Sequence, residues 1–409
     1  MRLRNTFFTF FSVSYISLSI LLLSTSATAQ IDKEISVEES FDDWKKEFKK
    51  IAMQNGVEKS LLNNILPKLT LLPNVLSADK KQSEFLLTFW DYTDKALSES
   101  RIKKGREILK EYQAFLKYVS QKYGVDEHYL VAFWGLETNY GLFKGNIKTL
   151  DALATLAYDK RRRSFFTREL ITLLKLMQNG EKTPFYGSWA GAFGNFQFMP
   201  TTYAAYAIDA DGDGNKDIIN SMPDAFSSAA NYLSKMGWDE NFHWGREVKI
   251  YQNVNWNKLH AVQKRPVKEW MKLGVKPIAK IPLKEREVLA KLIMPMGVNG
   301  PKFLVYPNFD RIMRWNNSTL YALSIGLLSD TFRDDKFKIS AKRTQNKISR
   351  NDIRFIQKKL ALKGYYNAEP DGILGYKTKE SIKAYQKAKK IPQDGYPSQK
   401  LLATLKKEK

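Results

Sequence analysis

The chain has 409 residues, of which 43% are hydrophobic and 13% aromatic, so it can bury a large core and is not a disordered polymer. It contains no cysteine, which excludes disulfides, thiolate catalysis and an acylated lipoprotein anchor. The formal net charge of +23 favours an anionic partner.

The N-terminus has the layout of a secretory signal peptide. Arg2 and Arg4 precede an apolar stretch, and small residues at 27–29 stand before Gln30. We therefore expect residues 1–29 to be removed, leaving an exported, periplasmic protein with no transmembrane anchor; a retained membrane anchor is the competing interpretation. An exported protein meets cell-wall carboxylates and lipid headgroups before nucleic acid, so export argues against a nucleic-acid partner.

The first part of the mature chain, residues 36–128, is predicted to be helical. The segment from Phe41 to Ala52 is amphipathic, and the charged stretch from Ser98 to Tyr123 carries apolar residues at helical spacing. Asp126 or Glu127 can begin the next helix. Further helical patterns cover Thr149–Leu156 and Phe165–Met177.

A single acid, Glu137, lies within the apolar run at residues 131–141. A carboxylate beside Phe133 and Trp134 loses hydration in its charged form, which raises its pKa and lets it hold a proton near neutral pH. Such a carboxyl can act as a general acid. The alternative is that Glu137 lies on the solvent side of a helix end, with Gly141 terminating the helix.

Glycine and aromatic residues are concentrated at residues 187–200. Small residues there let the backbone pass close to a ligand, while Ser188, Asn195 and Gln197 can form hydrogen bonds with sugar hydroxyls or an acetamido group. The alternative is a tight aromatic turn that serves only packing. The run does not match a phosphate-binding loop.

An acidic segment follows, with carboxylates at the first, third, fifth and ninth positions of an EF-hand-like loop and glycine at the sixth. These carboxylates belong to Asp209, Asp211, Asp213 and Asp217, and Asn215 occupies the seventh position. Asn220 replaces the usual bidentate Glu at the twelfth position, so either Asp224 completes the site or binding is weak. The pattern predicts a structural Ca²⁺ site, with an unoccupied acidic turn as the alternative.

The C-terminal part begins with a polar, Lys/Arg-rich stretch at residues 329–349, which we interpret as a linker because it lacks apolar periodicity. The last 60 or so residues predict a separate module of three short helices with Asp-Gly turns at 371–372 and 394–395. Its residues Tyr365, Tyr366 and Tyr385 either stack on a ligand or fill a small core.

Four of these motifs, in this order and spacing, resemble the lytic murein transglycosylase B family over roughly residues 36–330. They are Trp134–Gly141, Ser188–Gly194 with Gln197–Pro200, the Asp-rich loop at 209–217, and Asp224-Ala225 with Ala230–Tyr232; Tyr306–Phe309, Arg314–Asn316 and Tyr321-Ala322 extend the match. The last residues resemble the common peptidoglycan-binding module through Gln357–Leu360, Gly364-Tyr365, Asp371-Gly372, Gly375, Thr378 and Ala384–Gln386.

The resemblance implies a mainly α fold, with a lysozyme-like (α+β) catalytic domain at 30–330, a linker at 331–348 and a three-helix peptidoglycan-binding module at 349–409. It implies cleavage of the β-1,4 bond between N-acetylmuramic acid and N-acetylglucosamine without water, leaving a 1,6-anhydromuramic end. Glu137 would be the acid and then the base. Peptidoglycan glycan strands would be the substrate, and cell-wall synthesis proteins are left open as partners.

Carried over by position, Ser188 and Gln197 would line the site near the reacting sugars, Tyr232 would contact substrate, and Tyr92 is a looser candidate in the cleft. For each tyrosine the alternative is a half-buried core aromatic. In the family the loop at 209–224 binds calcium, while the chemistry requires no cofactor. Two other functions stay open: a hydrolytic muramidase, recognisable by reducing product ends, and a non-catalytic wall-binding scaffold in which Glu137 is inert.

Overall fold

Seventeen α-helices and seven short β-strands make up the described residues, 39–80, 87–181, 186–251, 254–256, 259, 263–343 and 348–408, of this computed structural model. The predicted signal peptide at 1–29 lies outside these residues. Within them, no helix is both long and apolar enough to cross a membrane. Residues from Phe41 onward form one compact unit.

The helices before residue 240 build the larger part of the protein. They are α1 (Phe41–Gln54), α2 (Lys59–Ile65), α3 (Pro73–Lys80), α4 (Phe89–Ala96), α5 (Glu99–Glu111), α6 (Gln113–Tyr123), α7 (Glu127–Thr138), α8 (Thr149–Tyr158), α9 (Arg163–Gln178), α10 (Pro200–Tyr206) and α11 (Met222–Lys235). The stretch predicted as one long helical pattern, 98–123, is broken at Tyr112, whose φ of −103° and ψ of 23° leave the helical region.

Two helical cores result from these amphipathic segments. Helices α1 to α3 bury their apolar faces against α8 and α9. The main core contains α4 to α7 and α11, together with two later helices, α13 (Pro307–Trp315) and α14 (Thr319–Arg333). Helix α7 is apolar on nearly all sides and is therefore buried in the middle of this core, where it packs against α14, α5 and α11.

A five-stranded antiparallel sheet packs beside the main core, and α12 (Val267–Lys272) covers it. Its strand order is β4-β6-β7-β3-β5. The strands are β3 (Gly245–Ile250), β4 (Arg265–Pro266), β5 (Val275–Pro277), β6 (Leu289–Ile293) and β7 (Phe303–Val305). A separate two-stranded ribbon joins β1 (Ile147–Lys148) to β2 (Tyr186–Gly187), with Ile147 opposite Gly187.

The C-terminal module consists of α15 (Arg350–Leu362), α16 (Tyr376–Ala388) and α17 (Gln399–Lys407). One glutamine amide clamps each Asp-Gly turn: Gln357 donates to Asp371 at 2.8 Å and accepts from Gly372 N at 2.7 Å. Gln386 makes the same pair of bonds with the turn at 394–395. The predicted three helices and both turns are thus confirmed.

Two of the module's three candidate tyrosines belong to its core. Tyr366 and Tyr385 are buried, and Tyr365 packs against them at the edge. The core interpretation of these tyrosines therefore accounts for their positions. With these helices added to the helical cores, the predicted fold class, mainly α with some sheet and a small three-helix module, is confirmed.

The segment after α14 differs from the expected polar linker, and we call residues 336–343 the strap. Phe337, Ile339 and Ala341 alternate with exposed residues and pack against the main core. The strap's backbone N–H groups at 340 and 341 donate to the Glu247 carboxylate at 2.8 and 3.0 Å. Because alternate residues face the core, this chain is held extended on the protein surface.

The module itself contacts the rest of the protein through the turn at 394–396. The Asp394 carboxylate accepts from Val298 N at 2.9 Å, and Tyr396 packs against the main core. Gly297 has φ +68°, and a Cβ there would lie 2.5 Å from the Asp394 carboxylate. Only glycine permits this approach without displacement.

Candidate active site

Glu137 lies in the last turn of α7, at the edge of the main core and partly exposed. Asp126 caps the beginning of the helix by accepting the N–H of His128 at 2.9 Å. At the other end, residues 139–141 have φ of 49°, 61° and 82°, so the chain turns away sharply. Left-handed backbone is unusual for a bulky residue such as Tyr140 and is strained relative to ordinary helical or extended conformations.

Tyr321, in the first turn of α14, is the direct partner of the acid. Its hydroxyl donates a hydrogen bond to Oε1 of Glu137, and its ring is only 4% exposed, with the Phe133 ring 6.3 Å away. The bond occupies one oxygen of the carboxyl group and fixes its orientation. Sequence reasoning included Tyr321 only as part of a family motif and did not name it as a site residue.

Asn195 ties the Gly-rich loop to the end of α7. It is 3% exposed; its Oδ1 accepts from Trp134 Nε1 at 3.0 Å, and its Nδ2 donates to the carbonyls of Ile218 and Ile219 at 3.2 and 2.8 Å. Its own carbonyl accepts from Thr138 Oγ1 at 2.8 Å. With its side-chain amide engaged in this way, Asn195 positions the loop beside Glu137, and the predicted contact with substrate is not needed to explain it.

Ser188 and Gln197 lie on the same loop and are partly exposed. Ser188 Oγ accepts from Ala192 N at 3.2 Å, and Gln197 Nε2 donates to the carbonyls of Lys144 and Gly194, both at 3.0 Å. Because Gln197 donates both amide hydrogens to these carbonyls, its Oε1 is the side-chain atom that can accept a hydrogen bond from a ligand. Their predicted contacts with sugars stay predictions.

The loop after Glu137 brings these residues close to the helix end. Gly145 has φ +95°, and a Cβ there would lie 2.0 Å from the Gly187 carbonyl carbon and 2.5 Å from Ser188 N. The chain following α7 is thus in backbone contact with the chain that carries Ser188. This approach and the β1–β2 ribbon bring together two segments about 40 residues apart in the chain.

Tyr232 forms one aromatic wall with Trp315. Their ring centroids are 5.0 Å apart at 85°, and the Trp315 ring also contacts that of Phe133, one turn before Glu137, at 4.5 Å and a tilt of 38°. Burial raises the pKa of Tyr232, and its hydroxyl donates to the Arg314 carbonyl at 3.3 Å. Tyr92 lies on α4 near Arg101, where it is partly buried against the main core.

The acidic loop folds around its own carboxylates. Carboxylate oxygens of Asp209, Asp211 and Asp213 all lie within 4.8 Å of one another, and all three side chains are at least partly exposed. Asp209 accepts from Gly212 N and Gly214 N at 2.8 and 2.9 Å, two residues with positive φ. Three converging carboxylates form a donor set that suits Ca²⁺.

Asp224 does not join that cluster. Its two oxygens accept from Ala210 N and Asp217 N, both at 2.7 Å, so this fully buried side chain joins the two ends of the loop. Burial raises the pKa of Asp224 in spite of these bonds. In Asp217 burial acts in the same direction, but hydrogen bonds from Asn220 lower the pKa overall. Asn215 donates to Asp213 and leaves its carbonyl as the seventh-position donor.

Known proteins match both parts of this architecture. Residues 40–330 match the transglycosylase SLT domain, and residues 349–405 match a peptidoglycan binding domain. Membrane-bound lytic murein transglycosylase B of Escherichia coli (strain K12) is 29% identical over 290 residues, which are 68% of this chain and 78% of that protein. The predicted family resemblance is confirmed.

Solved structures agree. SltB3 from Pseudomonas aeruginosa, crystallised with NAG-anhNAM-pentapeptide and with NAG-NAM-pentapeptide, is 36% identical, with a TM-score of 0.82 over 90% of this chain and all of that chain. Slt35 from Escherichia coli in complex with calcium is 28% identical, with a TM-score of 0.61 over 71% of this chain and 92% of that chain. The chain belongs to the transglycosylase SLT domain family and carries a peptidoglycan binding domain at its C-terminal end.

Proposed function

We propose that this protein is a lytic transglycosylase of the periplasm that cleaves the β-1,4 bond between N-acetylmuramic acid and N-acetylglucosamine in peptidoglycan. One observation carries the proposal: a single carboxyl, that of Glu137, is fixed by Tyr321 at the end of the buried helix α7. The three segments that build its surroundings, 128–150, 186–208 and 311–329, contain no other Asp or Glu. An ordinary glycosidase needs two carboxyl groups, whereas an intramolecular nucleophile removes the need for the second.

The proposed reaction uses the acid twice. Protonated Glu137 gives its proton to the glycosidic oxygen as the bond from that oxygen to the muramic C1 breaks. The resulting carboxylate then removes the proton of the muramic C6 hydroxyl as O6 attacks C1, which closes the 1,6-anhydro ring and restores the acid. No water is consumed. The ligand NAG-anhNAM-pentapeptide of the relative SltB3 supports this product.

The surrounding residues have supporting tasks in this scheme. The Tyr321 hydroxyl donates to Oε1, which orients the carboxyl group, and its hydrogen bond stabilises the carboxylate when that forms. The Tyr232 and Trp315 wall offers an aromatic surface to the sugar rings. We propose that Ser188 Oγ and Gln197 Oε1 bind polar substituents of the substrate, and that residues 30–330 act as the catalytic domain with 349–409 as the wall-binding module.

A structural Ca²⁺ at the acidic loop is a further part of the proposal. Asp209, Asp211 and Asp213, with the Asn215 carbonyl, would hold the ion, which would neutralise the converging carboxylates and stiffen a loop whose end at Ile218 and Ile219 anchors Asn195. Calcium at 100 times its dissociation constant should raise the free energy of unfolding by about 2.7 kcal/mol. Asp211→Asn should abolish this gain in a thermal melt, whereas the exposed control Glu240→Gln should keep it.

The test of the reaction is mass spectrometry of muropeptides released from purified peptidoglycan. The wild-type protein should release anhydro-ended products, and Glu137→Gln should lower the rate by at least about 100-fold. Glu127→Gln is the matched control, because it changes the same residue type on the same helix about 15 Å away along the axis.

Other outcomes separate the competing functions. Reducing-ended products would establish a hydrolytic muramidase. No products from the wild-type protein, with sacculus binding intact, would establish a binding protein in which Glu137 is inert. Equal rates for the wild type and Glu137→Gln would remove Glu137 from the mechanism.

A further inference from the structure

Helices α7 and α14 are joined by a side-chain hydrogen bond at each end. At one end Tyr321, in the first turn of α14, donates to Glu137 in the last turn of α7. At the other end Arg333, the last residue of α14, donates to Asp126, the N-cap of α7, at 2.6 Å. The start of each helix therefore lies beside the end of the other, and the two helices run antiparallel.

The two bonds are separated by nearly equal lengths of helix. Asp126 and Glu137 are about 11 residues apart on α7, and Tyr321 and Arg333 are about 12 residues apart on α14. At 1.5 Å per residue these stretches measure about 17 and 18 Å. Because the spans match, one position of α14 along α7 satisfies both bonds. A helix is a rigid element over this length, so a shift of α14 at one end is carried to the other.

Apolar packing fills the interface between these two ends. Phe133 of α7 and the apolar residues of α14 belong to the main core, and the buried Ser324 hydroxyl has no hydrogen-bond partner among the described residues. Burial of apolar surface is non-directional, whereas a hydrogen bond between two oxygens requires a separation of about 2.5 to 3.0 Å. A displacement of about 1 Å would leave the apolar side chains in contact but take Tyr321 out of reach of Glu137.

Arg333 is placed where it opposes such a displacement. Besides its bond to Asp126, its guanidinium lies 4.7 Å from the centre of the Tyr129 ring on α7 and donates to Ser329 Oγ at 3.2 Å on its own helix. A cation over an aromatic ring and a charge-assisted hydrogen bond both depend on position. Arg333 therefore ties the last turn of α14 to two side chains at the start of α7.

Asp330, one turn earlier on α14, connects the same end of the helix to the sheet. Its carboxylate accepts from Trp244 Nε1 at 3.0 Å and lies 2.7 Å from His243 Nε2, and these two residues directly precede β3. Trp244 N donates to the Tyr129 hydroxyl at 3.1 Å. A Cβ at Gly326 would lie 2.2 Å from the Trp244 ring, so the ring packs directly on α14. This end of the helix pair is thus anchored in the fold, whereas the other end borders the proposed cleft.

We propose that Arg333 is a positioning residue for the reaction. Its bond to Asp126 holds α14 at the position along α7 where the Tyr321 hydroxyl meets Glu137. Arg333 lies about 17 Å along the helices from the acid and acts only through Tyr321. The inference rests on the proposed function. Because the Tyr321 bond strengthens when Glu137 ionises, loss of Arg333 should lower kcat and leave KM unchanged.

A double-mutant cycle with Tyr321→Phe tests this role. Arg333→Met keeps much of the apolar stem of the side chain and removes its charge and its hydrogen bonds. Alone, it should lower kcat for anhydro-product release about tenfold. In the Tyr321→Phe protein it should lower kcat by less than about twofold, because the contact through which Arg333 acts is already absent. The same tenfold loss in both backgrounds, or no loss in either, would overturn the proposal.

Two further variants separate positioning from a general loss of stability. Arg333→Lys keeps a charge that can pair with Asp126 and should recover part of the lost kcat. Arg246→Met removes an arginine from another buried carboxylate, Glu285, with which it forms hydrogen bonds of 2.5 and 3.0 Å beside the sheet. It should lower the melting temperature at least as much as Arg333→Met and keep kcat when assayed below that temperature. An equal loss of kcat in Arg246→Met would assign the effect to stability and overturn the proposal.

Crystal structures of the wild type and Arg333→Met decide the question independently of catalysis. In the variant the Tyr321 hydroxyl should lie more than about 3.5 Å from both carboxyl oxygens of Glu137, with the rest of the core unchanged. A Tyr321 hydroxyl that stays bonded to Glu137 would overturn the proposal. A wild-type protein that forms no anhydro product would refute the proposed function, while the structures would still decide whether Arg333 positions Tyr321.

Discussion

Tyr321→Phe tests the central interaction of the site by removing one oxygen atom. The ring is 4% exposed and packs near Phe133, and phenylalanine keeps that packing. What is lost is the hydrogen bond to Oε1 of Glu137. A hydrogen bond to a charged group contributes about 1.5 to 3 kcal/mol, and each 1.36 kcal/mol corresponds to a factor of ten. We therefore expect kcat to fall about 10- to 100-fold.

The loss should appear in kcat more than in KM. The hydroxyl donates, so it binds the ionised carboxyl more strongly than the neutral one, and Glu137 becomes ionised only after it has protonated the glycosidic oxygen. Interactions that strengthen along the reaction lower the barrier without tightening substrate binding. The assay is the initial rate of anhydro-product release over a range of substrate concentrations.

Tyr140→Phe is the matched control for this prediction. Tyr140 also lies beside α7, and its hydroxyl donates to the Arg101 carbonyl at 2.7 Å, away from the acid. It should lose about 1 kcal/mol of stability and keep kcat. Equal losses of kcat in the two variants, or a Tyr321→Phe protein with unchanged kcat, would refute the reasoning.

Three further predictions concern stability. Burial raises the pKa of Asp126, but hydrogen bonds from His128 and the charge of Arg333 outweigh it and lower the pKa to about 2. Because this lies below the pKa in an unfolded chain, the ionised Asp126 stabilises the fold fully above about pH 4, and this contribution is lost as the pH falls towards 2. Asp126→Asn should therefore lower the free energy of unfolding in urea by about 1 kcal/mol at pH 7, less than the full pKa difference because the carboxyl is partly exposed. A difference between variant and wild type that stays constant down to about pH 2 would contradict this. Asn195→Ala should cost about 2 to 4 kcal/mol, because Trp134 Nε1 and the Ile219 carbonyl lose their partner inside the protein, and a melting temperature equal to that of the wild type would show that the loop is held otherwise. Gln357→Leu should lower the free energy of unfolding of the module by a similar amount, because Gly372 N and Asp371 lose their partner. Binding to sacculi should then fall while cleavage of short soluble fragments is retained. The exposed change Lys358→Leu on the same helix should leave both unchanged.

Much of the fold could be predicted from local sequence. The apolar periods of α1, α8 and α9 and the cap at Asp126 correspond directly to observed helices, because each depends on neighbours in the chain. The Asp-Gly turns of the module were visible for the same reason. The sheet between residues 245 and 305 was not anticipated strand by strand, since its strands are two to six residues long and pair across long connections.

In the candidate site, too, the sequence identified some residues and not others. Glu137 could be singled out because one acid in an apolar run is locally conspicuous. Tyr321 could not, because 184 positions separate it from Glu137 and the surrounding run, Leu320–Leu328, has the composition of an ordinary buried helix. Asn195 was recognised as polar and well placed. The local sequence, however, gives no sign that its amide forms hydrogen bonds with Trp134 and with the end of the acidic loop.

The strap shows a signal that was present and overlooked. Phe337, Ile339 and Ala341 alternate with Lys338 and Ser340, which is the period of an extended chain with one buried face. Surrounding charges hid this pattern. A segment without helical periodicity can therefore still pack against the rest of the protein.

The strap also affects how the enzyme would measure its polymer. Arg343 pairs with Asp94, and its guanidinium lies 5.1 Å from the centre of the Trp90 ring, while Glu247 accepts hydrogen bonds from the backbone of Ser340 and Ala341 just before it. A module on a free tether samples many positions and would yield fragments of many lengths. In the proposed function, a module held to the rest of the protein through Asp394 and Tyr396 would act as a ruler, because these contacts would set the spacing between the bound part of the wall and the scissile bond. Fragment lengths should then cluster around one value, and loosening the ruler should broaden them.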